Sequence, residues 1–205
     1  MLTLELLQKM LLAAAVELKD KSLMLCELDG VCGDGDHGLT IARIADAINE
    51  KIAANDSTDI KGLLDDLSMA FMNTNGGSAG PLWGTVFEGM AEGVEEGVTE
   101  LDEAGIHAML EGAKDDFECI SKAKIGDKTM VDALYPALDA GMAATGDAKA
   151  IFTAMAEAAV KGADATADMV ARFGRAKNLG ERSLGTKDPG AVSLSILYVS
   201  MAQAL

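Results

Sequence analysis

The chain has 205 residues, 49% of them hydrophobic but only 4% aromatic, and a formal net charge of −16. One domain spanning 1–205 accounts for that length, with a core of Leu, Ile, Val, Met and many small residues. So acidic a surface makes nucleic acid and anionic membrane poor partners, and a phosphate ligand would need local relief from a divalent cation, helix N-termini or a few placed Arg and Lys.

In chain order, the first predicted helix carries Leu4, Leu7, Leu11, Ala14 and Leu18 on one stripe. Its opening, MLTLELLQKMLLAAAVELKDK, looks like a secretory leader only superficially, because Glu5 precedes Lys9 and the apolar stretch is short. After a break at 29–38, Ile41, Ile44, Ala45, Ile48 and Ile52 repeat the helical spacing, and after another at 55–59 so do Ile60, Leu63, Leu64, Leu67 and Phe71. Further breaks fall at 73–81, 98–102, 124–127, 145–148 and 174–190. Between the last two, Ile151, Ala154, Met155, Ala158, Ala159 and Gly162 give a face of small residues that a neighbouring helix can approach closely. Leu194–Val199 is the only plausible strand, and without a partner run it reads as part of a buried last helix. Seven breaks imply eight helices, an all-α antiparallel bundle or barrel.

Cys26, Cys32 and Cys119 are odd in number and lack CxxC spacing, so neither a disulfide framework nor a zinc site is expected. They read as reduced thiols of a cytoplasmic protein. No apolar run approaches the roughly 20 residues of a bilayer span, so no membrane insertion is expected.

Chemistry concentrates in the first break, LDGVCGDGDHGLT, where Asp29, Asp34 and Asp36 crowd between two helices. Two carboxylates about 4 Å apart repel by on the order of 4 kcal/mol at an effective dielectric near 20, so their convergence makes sense around a cation. All-oxygen donors select Mg²⁺ or Ca²⁺. The spacing departs from an EF-hand, and although GDGDHG satisfies the dinucleotide pattern G-x-G-x-x-G, no strand precedes it. The plainer reading is a solvated turn whose Asp residues cap the next helix, with His37 a helix-start residue bonded to backbone.

Two more helix starts are rich in glycine or turn residues. In NTNGGSAGPLWGTVF, Gly76 and Gly77 precede Ser78, and Pro81 falls in the first turn, leaving backbone N–H groups suited to phosphate oxygens. In GDKTMVDAL, Asp127 is the expected N-cap with Thr129 and Met130 in the first turn, and without Gly-x4-Gly before Lys128 it is no P-loop. The last break, GRAKNLGERSLGTKDPG, is long and basic within an acidic protein. There Arg175, Lys177, Arg182 and Lys187 offer positive charge, with Lys177 and Lys187 reading as solvated surface.

Taken together, LDGVCGDGDHGLT, NGGSAGPLWGTVF, IGDKTMVDAL and GRAKNLGERSLGTKDPGAVS resemble the L subunit of dihydroxyacetone kinase, in the same order and over nearly the whole chain. The resemblance implies an eight-helix barrel with a nucleotide site at one rim. It implies two Mg²⁺ ions held by Asp29, Asp34 and Asp36 on the phosphates of ADP or ATP. It assigns His37, Gly38, Leu39 and Thr40, with Ser78 and Ala79, to the nucleotide. Met130 falls to the base, and Arg175 with Asp188, Pro189 and Gly190 to a closing loop. Ser121 stands where the family commonly has a glycine near the base and is kept as a backbone contact; Ala79 leaves a hydroxyl-specific contact at that position open. His107, Trp83 and the cysteines match no family role and read as structural.

The implied partners are a K-type subunit that carries the ketose on a histidine and a phosphohistidine protein of the sugar phosphotransferase system that recharges bound ADP. A chain without a K-like portion is expected not to phosphorylate the ketose alone. The alternatives are a split ATP-dependent triose or erythrulose kinase, and a non-enzymatic paralogue that binds a regulator.

Overall fold

Side chains at the helix entries set much of the architecture. Thr3, Asp59, Asp102, Asp147 and Asp188 each accept a backbone N–H three residues ahead, and a helix follows each. The computed structural model describes residues 1–205 and contains nine α-helices. They are α1 (Leu4–Asp20), α2 (Ser22–Cys32), α3 (His37–Ala54), α4 (Ile60–Met72), α5 (Ala79–Glu92), α6 (Glu103–Ile120), α7 (Val131–Ala143), α8 (Ala148–Ala165) and α9 (Pro189–Gln203). Two short strands, β1 (Leu2–Thr3) and β2 (Glu100–Leu101), pair antiparallel and tie the first residues to the entry of α6.

Packing neighbours run from α1 to α3, then through α4, α5, α6, α7 and α8 to α9, which returns to α1. Eight helices therefore close a barrel, as expected. The ninth, α2, packs on α3 and α9 and buries a single residue, Leu25. No Gly or Pro marks the break between α1 and α2 in the sequence, where the spacing predicts one helix; the backbone at Lys21 (φ −86°, ψ 1°) leaves helical geometry for one residue only. The β1–β2 pair was likewise unforeseen, since two residues carry no period.

The apolar stripes face inward as their spacing requires: Leu7, Leu11, Ala14 and Leu18 of α1 and Ile60, Leu63, Leu64, Leu67 and Phe71 of α4 are all buried in one cluster of 48 residues. Phe71 meets Phe87 edge to face at 4.9 Å. The 194–199 run lies inside α9. No helix is long and apolar enough to cross a membrane.

Helices approach most closely where glycines face each other. A Cβ at Gly89 or Gly112 would strike the other's carbonyl between α5 and α6, and one at Gly162, on the small face of α8, would strike the Asp132 carbonyl of α7. In a solvated helix Gly→Ala stabilises by about 1 kcal/mol. Gly162→Ala should instead destabilise by about 1–3 kcal/mol through overpacking, read as a lower urea midpoint at unchanged m-value.

Candidate functional site

Asp29 sits near the C-terminal end of α2 and folds its carboxylate into the turn that follows. Its Oδ2 accepts the backbone N–H groups of Gly35 (2.9 Å), Asp36 (3.1 Å) and His37 (3.3 Å). This one carboxylate thereby supplies the acceptor for the start of α3, while Asp36, at the N-cap position, makes no side-chain cap bond. Gly33 is required beside it, because any Cβ there would occupy the space of the Asp29 carboxylate. Released from capping, Asp36 joins Asp29 and Asp34 so that one ligand atom from each lies within 4.8 Å of the others.

Each such pair repels by about 3 kcal/mol at an effective dielectric near 20. Arg175 offsets part of this through an ion pair with Asp34, which is exposed. Oxygens bound to Mg²⁺ lie about 2.1 Å from the ion, so the trio would draw together, or act partly through metal-bound water, to hold one. An all-carboxylate donor set with solvent access fits a hard divalent cation that keeps some of its water and shares phosphate oxygens.

The carboxylates open into a cleft of about 300 Å³. Its wall is made where α3, α5, α7 and α9 begin: Asp36 and His37, Ser78 and Ala79, Thr129 and Met130, Asp188 and Pro189. These are alternate members of the ring, so antiparallel packing brings four N-termini to one rim. At three of them, α3, α5 and α7, the N-cap residue makes no side-chain cap bond. Gly76 and Gly77 take positive φ (122° and 54°), which few other residues adopt, and a side chain at 77 would stand in open space. The 75–77 turn is held to α3 by Arg43, which donates to the Asn75 carbonyl (2.7 Å), and by Thr40, whose hydroxyl faces the Gly76 carbonyl (3.4 Å). Unscreened N–H groups at the positive end of a helix dipole are suited to an anion. Leu82, Trp83 and Met130 supply an apolar portion of the wall.

His37 reaches Ser193 Oγ through Nε2 (3.0 Å) and joins the starts of α3 and α9. Burial lowers its pKa despite the opposing charge of Asp29, so the imidazole is neutral. Asp188 accepts from the Ala191 N–H (2.7 Å). It lines the cleft, and burial pushes its pKa up to about 7, helped by Asp132 and opposed by that hydrogen bond and by Lys128. Asp132, not Asp127, organises the start of α7: its two oxygens accept from Gly126 (2.6 Å) and Thr129 (2.8 Å), and the helix begins at Val131. Asp127 instead accepts from the Lys124 N–H, so the expected cap lies one turn too early.

Of the residues singled out from the sequence, Asp29, Asp34, Asp36, His37, Thr40, Ser78, Ala79, Met130, Arg175, Asp188, Pro189 and Gly190 line the cleft. Gly38, Leu39 and Ser121 do not. Gly38 is where α3 presses on α2, a Cβ there meeting the Ser22 carbonyl and Cys26 Sγ, and Leu39 is 51% exposed. Ser121 ends α6, its hydroxyl accepting from Ala123. Lys187 pairs with Asp164 at the surface, and His107 binds the Ala144 carbonyl, both plain structural roles. Cys32, Trp83, Lys128, Phe173 and Gly174 line the wall without having been assigned to it. Trp83 carried a usable signal, since it lies one turn after Ala79 on the same face of α5; Lys128 carried none.

Fold and site together describe an all-α barrel whose rim offers clustered carboxylates beside open helix N-termini. The profile described as "DAK2 domain" matches residues 31–203, and the chain belongs to that family. It is 34% identical over 189 residues to the ADP-binding subunit DhaL of the PEP-dependent dihydroxyacetone kinase of Escherichia coli, covering 90% of this chain and 89% of that one. The corresponding subunit of kinase 1 from Listeria innocua is 31% identical over 185 residues, covering 90% and 88%. L-erythrulose 1-kinase of Mycolicibacterium smegmatis is 35% identical over 196 residues, 91% of this chain but 33% of that enzyme. The crystal structure of the dihydroxyacetone kinase of C. freundii in complex with AMP-PNP and Mg²⁺ superposes with a TM-score of 0.72 at 26% identity, over 97% of this chain and 33% of that one.

Because the folded chain holds the Asp188 proton more tightly than the unfolded chain does, with its ordinary value near 3.9, this group's contribution to stability is complete below about pH 4 and is lost as pH rises through about 7. Asp188→Asn keeps an acceptor for Ala191 and removes the titration. Without metal or nucleotide, the wild type should lose up to a few kcal/mol relative to this variant between pH 5 and pH 8, measured as urea midpoints at the two values.

Proposed function

We propose that this chain is the nucleotide-holding subunit of a dihydroxyacetone kinase, a phosphotransferase active only with a K-type partner. It binds ADP or ATP through two Mg²⁺ ions on Asp29, Asp34 and Asp36 and presents the terminal phosphoryl group to a ketose carried on that partner, in the cytoplasm. The convergence of three carboxylates where four helices begin carries this reading. A docking protein has no use for such mutual repulsion.

The work of the chain is positioning. Asp29, Asp34 and Asp36 hold the metal from one side, and the N–H groups after Gly76 and Gly77 orient phosphate oxygens from the other. Leu82, Trp83 and Met130 take the base against the apolar wall, and the neutral His37 keeps α3 registered on α9. Arg175, already paired with Asp34, adds positive charge at the mouth of the cleft. Divalent ions held by Asp29, Asp34 and Asp36 would supply positive charge to offset that of the phosphates during transfer.

Similarity to ADP-binding subunits of PEP-dependent kinases, and to one of a PTS-dependent kinase of Lactococcus lactis at 31% identity, supports ADP as a retained coenzyme recharged by a phosphohistidine protein. The second reading, a split kinase in which ATP exchanges from solution onto a tetrulose, draws on the L-erythrulose 1-kinase likeness. ADP that stays with the purified protein through dialysis supports the first; rapid exchange of ATP supports the second.

Asp34→Ala and Asp36→Ala should each weaken Mg²⁺-dependent ADP binding by about 100-fold or more, measured by calorimetry with and without a chelator. Tight, metal-independent binding by these variants would overturn the assignment. Phosphoryl transfer to dihydroxyacetone should appear only when a K-type subunit is added.

A further inference from the structure

Lys128 has no role in the reading above, yet it is the most completely buried cation at the cleft. It lies in the turn between α6 and α7 with a left-handed φ of 59° and is 3% exposed. Its Nζ donates to the Thr166 carbonyl at 2.6 Å and also to the Thr186 carbonyl. The first ends α8, and the second lies two residues before the Asp188 cap of α9. A single ammonium thus holds both ends of the segment that carries Phe173, Gly174 and Arg175 to the cleft wall.

That segment is otherwise fastened largely to itself. Ala171 donates to Ser183 Oγ, Ser183 Oγ to the Gly180 carbonyl, and Gly185 to the Ala167 carbonyl. Its other ties to the barrel are few: the Arg172 N–H on the Asp127 carbonyl, a long Arg172–Asp127 ion pair at 3.6 Å, and the exposed Arg175–Asp34 pair. Beyond Thr186, Lys187 meets Asp164 at the surface and the Asp188 N–H meets Thr166 Oγ1. Residues 127 and 128 are therefore the main anchor for the segment on the α7 side. Burial disfavours the charged form of Lys128, but the nearby Cys32, Asp188, Asp132 and Asp168 oppose that effect. Charge-assisted bonds to carbonyls away from water are strong and costly to lose.

We propose that Lys128 is a positioning residue that clasps the 166–187 segment over the cleft and thereby sets how long a nucleotide stays bound. This rests on the nucleotide-holding reading for its consequence, though not for its geometry. Lys128→Met keeps the length of the side chain and removes every donor.

Hydrogen exchange on the ligand-free protein reads the clasp by itself. In the wild type, amides of 166–187 and 124–130 should open together; in Lys128→Met, those of 166–187 should exchange at least about tenfold faster while α1 and α4 keep their protection. Release of a fluorescent ADP analogue with Mg²⁺ should then quicken at least about tenfold, and Lys128→Arg, which restores donors, should recover part of that loss. With a K-type partner, the KM for nucleotide should change more than kcat. Unchanged exchange in Lys128→Met overturns the clasp, and faster exchange with unchanged release overturns its link to residence time. If Lys128→Met does not fold, independent opening of the two segments in the wild type overturns the proposal. A wild type that fails to bind the analogue with Mg²⁺ refutes the nucleotide reading instead, and the exchange data then decide the clasp.

Discussion

A chain with a net charge of −16 can receive a polyphosphate only if positive potential is gathered in one place, and here the parity of the barrel does so. In a closed ring of eight antiparallel helices, every second helix starts at the same rim. The far-rim starts, of α1, α4, α6 and α8, are closed by Thr3, Asp59, Asp102 and Asp147. At the cleft rim, the N-caps of α3, α5 and α7 leave their side chains unused. Each open end carries roughly half a positive charge. Three such ends, with the Asp188-capped start of α9 beside them, do not balance three carboxylates and a polyphosphate, so divalent ions would be needed to complete the site.

The helix outside the ring is what delivers the first carboxylate of the cluster. α2 buries only Leu25 and leaves Leu23, Met24 and Val31 exposed, so its contribution to the core is small. Its value lies in where it ends: Asp29 reaches over the following turn and holds three consecutive N–H groups. The same carboxylate that orders the start of α3 thus stands in the cluster with Asp34 and Asp36, so the folded turn brings the three together. Asp29 caps the turn as the plainer reading of the sequence has it, and in doing so it still stands within reach of Asp34 and Asp36.

The opposite side of the cleft is built on different physics. Between α8 and α9 the chain carries two 3₁₀ stretches, Thr166–Asp168 and Ala176–Ser183, with few residues committed to the core. Such a segment depends on discrete polar ties, and most of those lie within it. One face of the site is fixed by helix packing and the other by a handful of hydrogen bonds, which makes the second the natural place for opening and closing.

How much was legible in the sequence follows from how far each feature reaches along the chain. Apolar stripes such as Ile60, Leu63, Leu64, Leu67 and Phe71 repeat at 3.6 residues, so helices and inward faces could be read locally. The Asp29, Asp34 and Asp36 cluster was legible because its members lie within eight positions of one another. Lys128 was not, because the carbonyls it binds are 38 and 58 residues away. Asp132 displaced Asp127 as the organiser of α7 because its carboxylate turns back against the chain direction, which spacing does not reveal. The split at Lys21 went unseen because a one-residue departure from helix leaves the apolar pattern intact. By itself the sequence determined the helices, their buried faces and a carboxylate loop suited to a divalent ion, since short-range sterics and periodic burial act between near neighbours. Only the tertiary structure decided which helix ends share a rim and which distant carbonyls a buried lysine ties, because ring closure brings together residues that no local spacing relates.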